Sequence, residues 1–167
     1  MSKQYYTKKE YEALIKDMTI LYDTREQENG HILDWLNKKQ IQTERRALQL
    51  GDYCFRIGKD WYVDELFIER KNSLDELAQS ILSERFQREI KLASVKPVKY
   101  LIVENGSWED ILNHEYRSLY NPKAFWNTLY TYTTKFNVQI IFAPTELLGQ
   151  IIFSICKSVL NRYILHG

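Results

Sequence analysis

The chain has 167 residues, 44% hydrophobic and 27% charged, and 23 Lys and Arg against 22 Asp and Glu leave a net charge of +1. These figures fit one globular domain with a real core, expected to span residues 1–167, and they exclude a disordered or fibrous chain. No apolar run approaches the roughly 18–20 residues of a membrane helix, and Met1-Ser2-Lys3-Gln4-Tyr5-Tyr6 has no apolar signal core, so a cytoplasmic protein with no membrane partner is expected.

Along the chain, Thr7 to Glu10 reads as a capping box opening a short helix over about 7–18. Thr19-Ile20-Leu21-Tyr22 reads as a strand ending at Asp23, and Ile32, Leu33 and Leu36 carry a helical period. A strand is expected around Thr43 to Leu50, broken by Gly51-Asp52. Cys54 to Ile57 and Trp61 to Glu69 flank Gly58-Lys59-Asp60, a hairpin signal. Asn72 or Ser73 caps the next helix, a second helical stretch covers about 84–94, and Val98 to Val103 is a buried strand closing at Glu104. Asn121-Pro122 caps a helix through Phe136, and Val138 to Phe142 is a further strand. Thr145 opens a C-terminal helix whose wide apolar face carries Leu148, Ile151, Ile152, Ile155, Val159 and Tyr163. Strands alternating with helices predict an α/β fold with a mixed central β-sheet flanked by α-helices.

The chemistry concentrates between Gly51 and Lys71. Residues two apart on a strand share a face, so Glu69 and Lys71 point the same way while Arg70 points to the other side. The hairpin brings Asp52 close to Glu69, and two carboxylates and one ammonium converge at one end of a sheet. That set suits phosphodiester hydrolysis with Mg²⁺, a hard ion that takes one or two carboxylates together with water and phosphate oxygens. An ammonium beside two carboxylates keeps its proton, so Lys71 is expected to orient water and offset charge on the phosphate rather than act as a bare base.

Other motifs are missing. Cys54 and Cys156 have no zinc spacing and read as buried reduced thiols. His31, His114 and His166 also lack metal spacing, and no glycine belongs to a GxxxxGK[ST] or GxGxxG loop.

Asp23-Thr24-Arg25-Glu26, Gly51-Asp52 and Glu69-Arg70-Lys71 with Asp75 form a longer pattern. It resembles the nuclease domain of the XPF/MUS81 group, the ERCC4 domain, whose hallmark is G-D-X(n)-E-R-K-X3-D. Ser80 and Arg85 look like the family's S…R helix positions, and Tyr100 to Glu104 like its glutamate-ended strand. The resemblance implies a restriction-endonuclease-like core and a metal, Mg²⁺ with Mn²⁺ as substitute, held by Asp52 and Glu69 with Asp23 close by. It implies catalytic roles for Asp52, Glu69, Lys71, Asp23 and Asp75, supported by Arg25, Glu26, Arg70, Ser80 and Arg85. Glu26 reads equally as a salt-bridge partner of an arginine, and Asp75 equally as a charge on the first helical turn. Arg85, Arg88 and Lys91 fit either a DNA backbone track or a solvated helix face.

The expected activity is therefore a metal-dependent DNA endonuclease acting on flap, fork, junction or nicked duplex DNA in repair or recombination. A homodimer through the C-terminal helix is a further expectation. The alternative is a non-catalytic DNA-binding or protein-interaction module on the same fold. Family members often carry tandem helix-hairpin-helix motifs, and the glycines beyond Gly106, Gly149 and Gly167, do not supply them here. Abundant Lys, Ile, Asn and Tyr point to an AT-rich bacterial or phage genome.

Overall fold

The computed structural model describes residues 4–62 and 64–166. The ends of the chain at Met1–Lys3 and Gly167, and Val63 in the expected long strand, lie outside the described residues.

A short strand β1 (Gln4–Tyr6) leads to helix α1 (Lys8–Lys16), where Thr7 and Glu10 exchange both bonds of a capping box. Then come β2 (Met18–Tyr22), α2 (Gly30–Lys38), β3 (Gln42–Arg45), β4 (Tyr53–Ile57) and β5 (Asp60–Trp61). β6 (Leu66–Lys71) precedes α3 (Leu74–Ile81), capped by Ser73, and α4 (Glu84–Ala93), capped by Ser83. The rest is β7 (Val98–Glu104), α5 (Trp108–Leu112), α6 (Pro122–Phe136), β8 (Gln139–Ala143), a 3-10 turn at Thr145–Leu147, α7 (Leu148–Asn161) and β9 (Ile164–His166).

The main sheet runs β3-β2-β4-β6-β7-β8, with β5 paired to β4 off that path. β2 pairs antiparallel with β4 and β4 with β6, whereas β2–β3, β6–β7 and β7–β8 are parallel. The parallel arrangement of β6, β7 and β8 brings Lys71, Glu104 and Ala143 to one end of the sheet. One core joins Ile20, Phe55, Ile68 and Ile102 to Leu36 of α2 and Ile152 and Val159 of α7. The opposite core joins Phe67, Leu101 and Val103 to Leu77 of α3, Phe86 of α4 and Leu129 of α6. Among the described residues no helix is long and apolar enough to cross a membrane.

Four local expectations are corrected. The strand expected through Leu50 stops at Arg45, because Leu48 turns its amide onto Asp23 and residues 46–50 leave the ladder. The strand expected from Trp61 to Lys71 divides: Glu65 N–H closes a turn on Tyr62 O, and β6 starts only at Leu66. The C-terminal helix ends at Asn161, and the next residues form β9, which pairs in parallel with β1. α5 was not expected from the sequence pattern, because five residues are too few to display a helical period.

Candidate active site

Gly51 fixes the position of Asp52. It adopts φ +77°, and a Cβ there would lie 2.8 Å from Ile68 O, so only glycine allows this approach to β6. Asp52 N–H then donates to Ile68 O at 2.7 Å, and Asp52 Oδ2 accepts from Arg70 N–H at 2.7 Å. Asp52 is thus tied to β6 through its backbone and one carboxylate oxygen. The second oxygen, Oδ1, accepts no hydrogen bond from the described residues.

All six residues of β6 are buried, three of them charged, and a buried charge must be paired. Alternation along the strand divides these charges between its two sides. On the side of α3 and α4, Lys71 Nζ donates to Glu69 Oε1 at 2.6 Å, lies 3.9 Å from Glu76 Oε1, and sits 4.8 Å from the centre of the Phe86 ring. On the side of α2, Arg70 Nε donates to Glu104 Oε1 at 2.7 Å and Nη1 to Glu26 Oε1 at 2.6 Å, while Nη2 reaches Glu28 O at 3.1 Å. His31 Nε2 lies 3.0 Å from Glu104 Oε1, and Thr145 Oγ1 donates to Glu104 Oε2 at 3.1 Å. Tyr53 Oη donates to Glu26 Oε1 at 3.1 Å.

Asp52, Glu69 and Lys71 open into a cavity of about 140 Å³, with Glu26, Arg25 and Arg85 also on its walls. Burial lifts the Asp52 carboxyl well above the usual range, and Glu69 and Glu26 push it the same way. Burial also raises Glu69, against the pull of Lys71. Burial likewise lifts Glu26, to about 7, in spite of Arg70. For Lys71, burial disfavours the charge, but Glu69 outweighs it and the amine stays protonated above its ordinary range. The cavity therefore gathers acids whose ionisation a bound cation would favour.

The residues expected from the sequence do not all reach this cavity. Asp52, Glu69 and Lys71 converge as read, and Arg70 also borders the cavity, although its guanidinium turns from Glu69 to Glu26 and Glu104. Arg25, Glu26 and Arg85 line the walls, with Arg85 Nε bonded to Glu89 Oε1 at 3.1 Å. Asp23 adjoins Asp52, donating its N–H to Asp52 O at 2.8 Å, but its side chain lies outside the cavity lining. It is only 1% exposed, Oδ1 accepts from Arg25 N–H and Nε at 2.9 and 2.6 Å, and Oδ2 accepts from Leu48 N–H at 2.6 Å. Although burial opposes it, these bonds hold Asp23 below the usual carboxylate range. Its role in this structure is to tie the 46–50 segment to β2.

Asp75 turns from the cavity to Arg117, accepting from its backbone N–H at 2.6 Å. Its neighbour Glu76 takes the cavity side instead. Ser80 lies near the end of α3, outside the cavity lining, where its carbonyl accepts from Ser83. Sequence reading missed Glu76 and Glu89. Ser73-Leu74-Asp75-Glu76 is a capping spacing, and Arg85 with Glu89 is an i,i+4 ion pair, so both signals were present.

Among the described residues no three acidic, His or Cys side chains close on one point as a ready metal site. The donor set nevertheless fits a hard divalent ion. Asp52 and Glu69 each keep one carboxylate oxygen that accepts no hydrogen bond from the described residues, beside space for water and a phosphate oxygen.

A family model described as ERCC4 domain matches residues 22–154. No protein of curated function matches the sequence. Among solved structures, XPF from Aeropyrum pernix is similar at 18% identity and a TM-score of 0.66, covering 86% of this chain and 66% of that one. The same protein in complex with DNA is similar at 16% identity and a TM-score of 0.65, with the same coverage. This chain thus spans about two thirds of the length of those structures. The likeness is one of fold: a restriction-endonuclease-like mixed sheet flanked by helices.

Proposed function

This chain belongs to the ERCC4 domain family, and from that premise we propose that it is a metal-dependent DNA endonuclease. The observation that carries the proposal is the meeting of Asp52 and Glu69 in one cavity beside a protonated lysine, each with one carboxylate oxygen that accepts no hydrogen bond from the described residues. Asp52 and Glu69 would hold Mg²⁺ or Mn²⁺, which when bound supplies Lewis-acid activation of a phosphodiester. DNA as substrate is carried over from the fold likeness to XPF in complex with DNA.

The chain's own residues divide the remaining work. Arg70 N–H holds one oxygen of Asp52 and so fixes the carboxylate at the cavity wall. Lys71, kept charged by Glu69, orients the attacking water and offsets the negative charge that grows on the phosphate. Arg25 and Arg85 stand at the walls, where their guanidinium groups suit phosphate oxygens. Asp23 and Asp75 act from behind, the first by fastening the 46–50 segment and the second by fastening Arg117.

The same reading extends to branched or nicked duplex as the preferred DNA, in repair or recombination. It assigns the outer groove of α7, about 370 Å³ and bordered by Tyr100, Ile141 and Ile151, to a second copy of the chain. Light scattering across a concentration series tests that assignment, and a monomer throughout removes it. The test of the activity is a panel of flaps, forks, junctions, nicked and plain duplex with Mg²⁺ or Mn²⁺. Cleavage by the wild type should fall at least roughly a hundredfold in Glu69→Gln, the scale of losing one electrostatic contact to the transition state. DNA retention without metal-dependent cleavage in the wild type would leave a binding module in place of an enzyme.

A further inference from the structure

The sheet face that carries Glu69 and Lys71 continues past the cavity. The Tyr53–Ile68 pairing places Cys54 and Arg56 on the same face as Phe67 and Glu69. The partners Leu21 and Glu44 extend that face across β2 to β3. Helices α3, α4 and α6 build their core on β6 and β7, and no residue of β2, β3 or β4 belongs to it. Over β4 the chain lays residues 46–50 instead, anchored by Arg46 N–H to Tyr22 O at 2.9 Å and Leu48 N–H to Asp23 at 2.6 Å.

This segment encloses a cleft of about 380 Å³. Leu48 and Leu50 offer it apolar side chains, while Cys54 and Leu66 border it almost fully buried. Two cations, Arg46 and Lys96, and one acid, Asp64, complete the lining, and Arg46 also pairs with Glu44 at 3.2 Å. The cleft wall and the cavity wall are continuous: Leu50 lines the first and Gly51 the second. Arg25 spans both, because it lines the cavity while Nη2 donates to Leu48 O at 3.3 Å.

We infer that this cleft is a nucleotide subsite, taking the base and sugar of one unstacked nucleotide beside the phosphate held at Asp52, Glu69 and Lys71. Its volume falls in the range of about 300–1,000 Å³ usual for small-ligand pockets. The side chains of Leu48 and Leu50 suit a base, and Arg46 and Lys96 suit the phosphate that follows it. Unstacking a nucleotide costs a few kcal/mol in an intact duplex and least in a strand that is already single. A required extruded nucleotide would therefore favour branched or gapped DNA without reading any sequence. The inference rests on the nuclease reading, and its test separates the two.

The first arm is an amide chemical-shift titration of the metal-free protein with thymidine 5′-monophosphate, thymidine and inorganic phosphate. Shifts at Ala47, Gln49 and Leu50 should be larger with the monophosphate than with either fragment, and should shrink in Arg46→Ala/Lys96→Ala. Equal shifts with phosphate alone overturn the subsite. The second arm is cleavage of substrates with one abasic nucleotide placed at successive positions around the cut. One adjacent position should raise KM roughly tenfold with kcat little changed, a loss of about 1.4 kcal/mol of binding. Cutting that ignores every abasic position overturns the subsite and leaves the nuclease intact. If no DNA is cut, the nuclease reading falls and the titration alone decides the subsite.

Discussion

The two sides of the β6 tip carry charges of the same kinds in opposite conditions. On the α2 side, Arg70 is held by Glu104, Glu26 and a loop carbonyl, and Glu104 is further engaged by His31 and Thr145. On the α3 side, Glu69 gives one oxygen to Lys71 and keeps the other, and Asp52 keeps one as well. Glu26 bridges the two sides: its Oε1 accepts from Arg70 and Tyr53, its Oε2 accepts no hydrogen bond from the described residues, and it lines the same cavity as Asp52 and Glu69. Burial alone therefore does not distinguish the sides; the number of partners that each cation holds does.

Breaking each side should have a different consequence. Arg70→Met strands Glu26 and Glu104 without a cation and should cost about 3–5 kcal/mol of stability, read as a shift of the urea midpoint. Lys71→Met should cost markedly less stability, because Glu69 can take up a proton, yet should lower cleavage by roughly 10²–10³-fold. Equal stability losses in the two variants would erase the distinction between the sides.

Gly51→Ala tests how Asp52 is held between them. A methyl 2.8 Å from Ile68 O in a left-handed backbone should cost about 1–3 kcal/mol and lower kcat by displacing Asp52. Wild-type activity and stability in that variant would show that the close approach is not required.

A further effect concerns pH. The folded protein raises Glu26 from 4.5 to about 7, so between those values it keeps a proton that the unfolded chain has released. Metal-free protein should thus lose stability as pH rises through that window, since the native state then binds more protons. Thermal melts in chelator should show that slope, and Glu26→Gln should make it less steep, with Asp52 and Glu69 supplying the remainder. An unchanged slope would exclude Glu26 as its source.

The parts of this arrangement that follow a period were legible in the sequence. Alternation placed Glu69 and Lys71 together and turned Arg70 away, and the capping residues Thr7, Ser73 and Asn121 marked their helices. What failed depended on one more degree of geometry. Asp75 and Glu76 differ by one residue, about 100° around a helix, and that rotation decides which acid meets Lys71. Asp23 was read as close to the metal, but the Arg25 turn and the Leu48 amide claim both its oxygens, a contact across 25 residues that no local pattern announces. β1 and β9 have three residues each, too few to show alternation, and they exist by finding one another.

β4 and β6 share a single paired position, Tyr53 with Ile68, before they splay apart. The distance between the Asp52 and Glu69 carboxylates is thus not locked by a long ladder, as it would be on neighbouring strands in full register. That distance rests instead on the two bonds from Asp52 to β6 and on the close approach of Gly51. Under the proposed function, discrimination among divalent ions of different radius would turn on these few contacts, and changing them would carry a cost in stability.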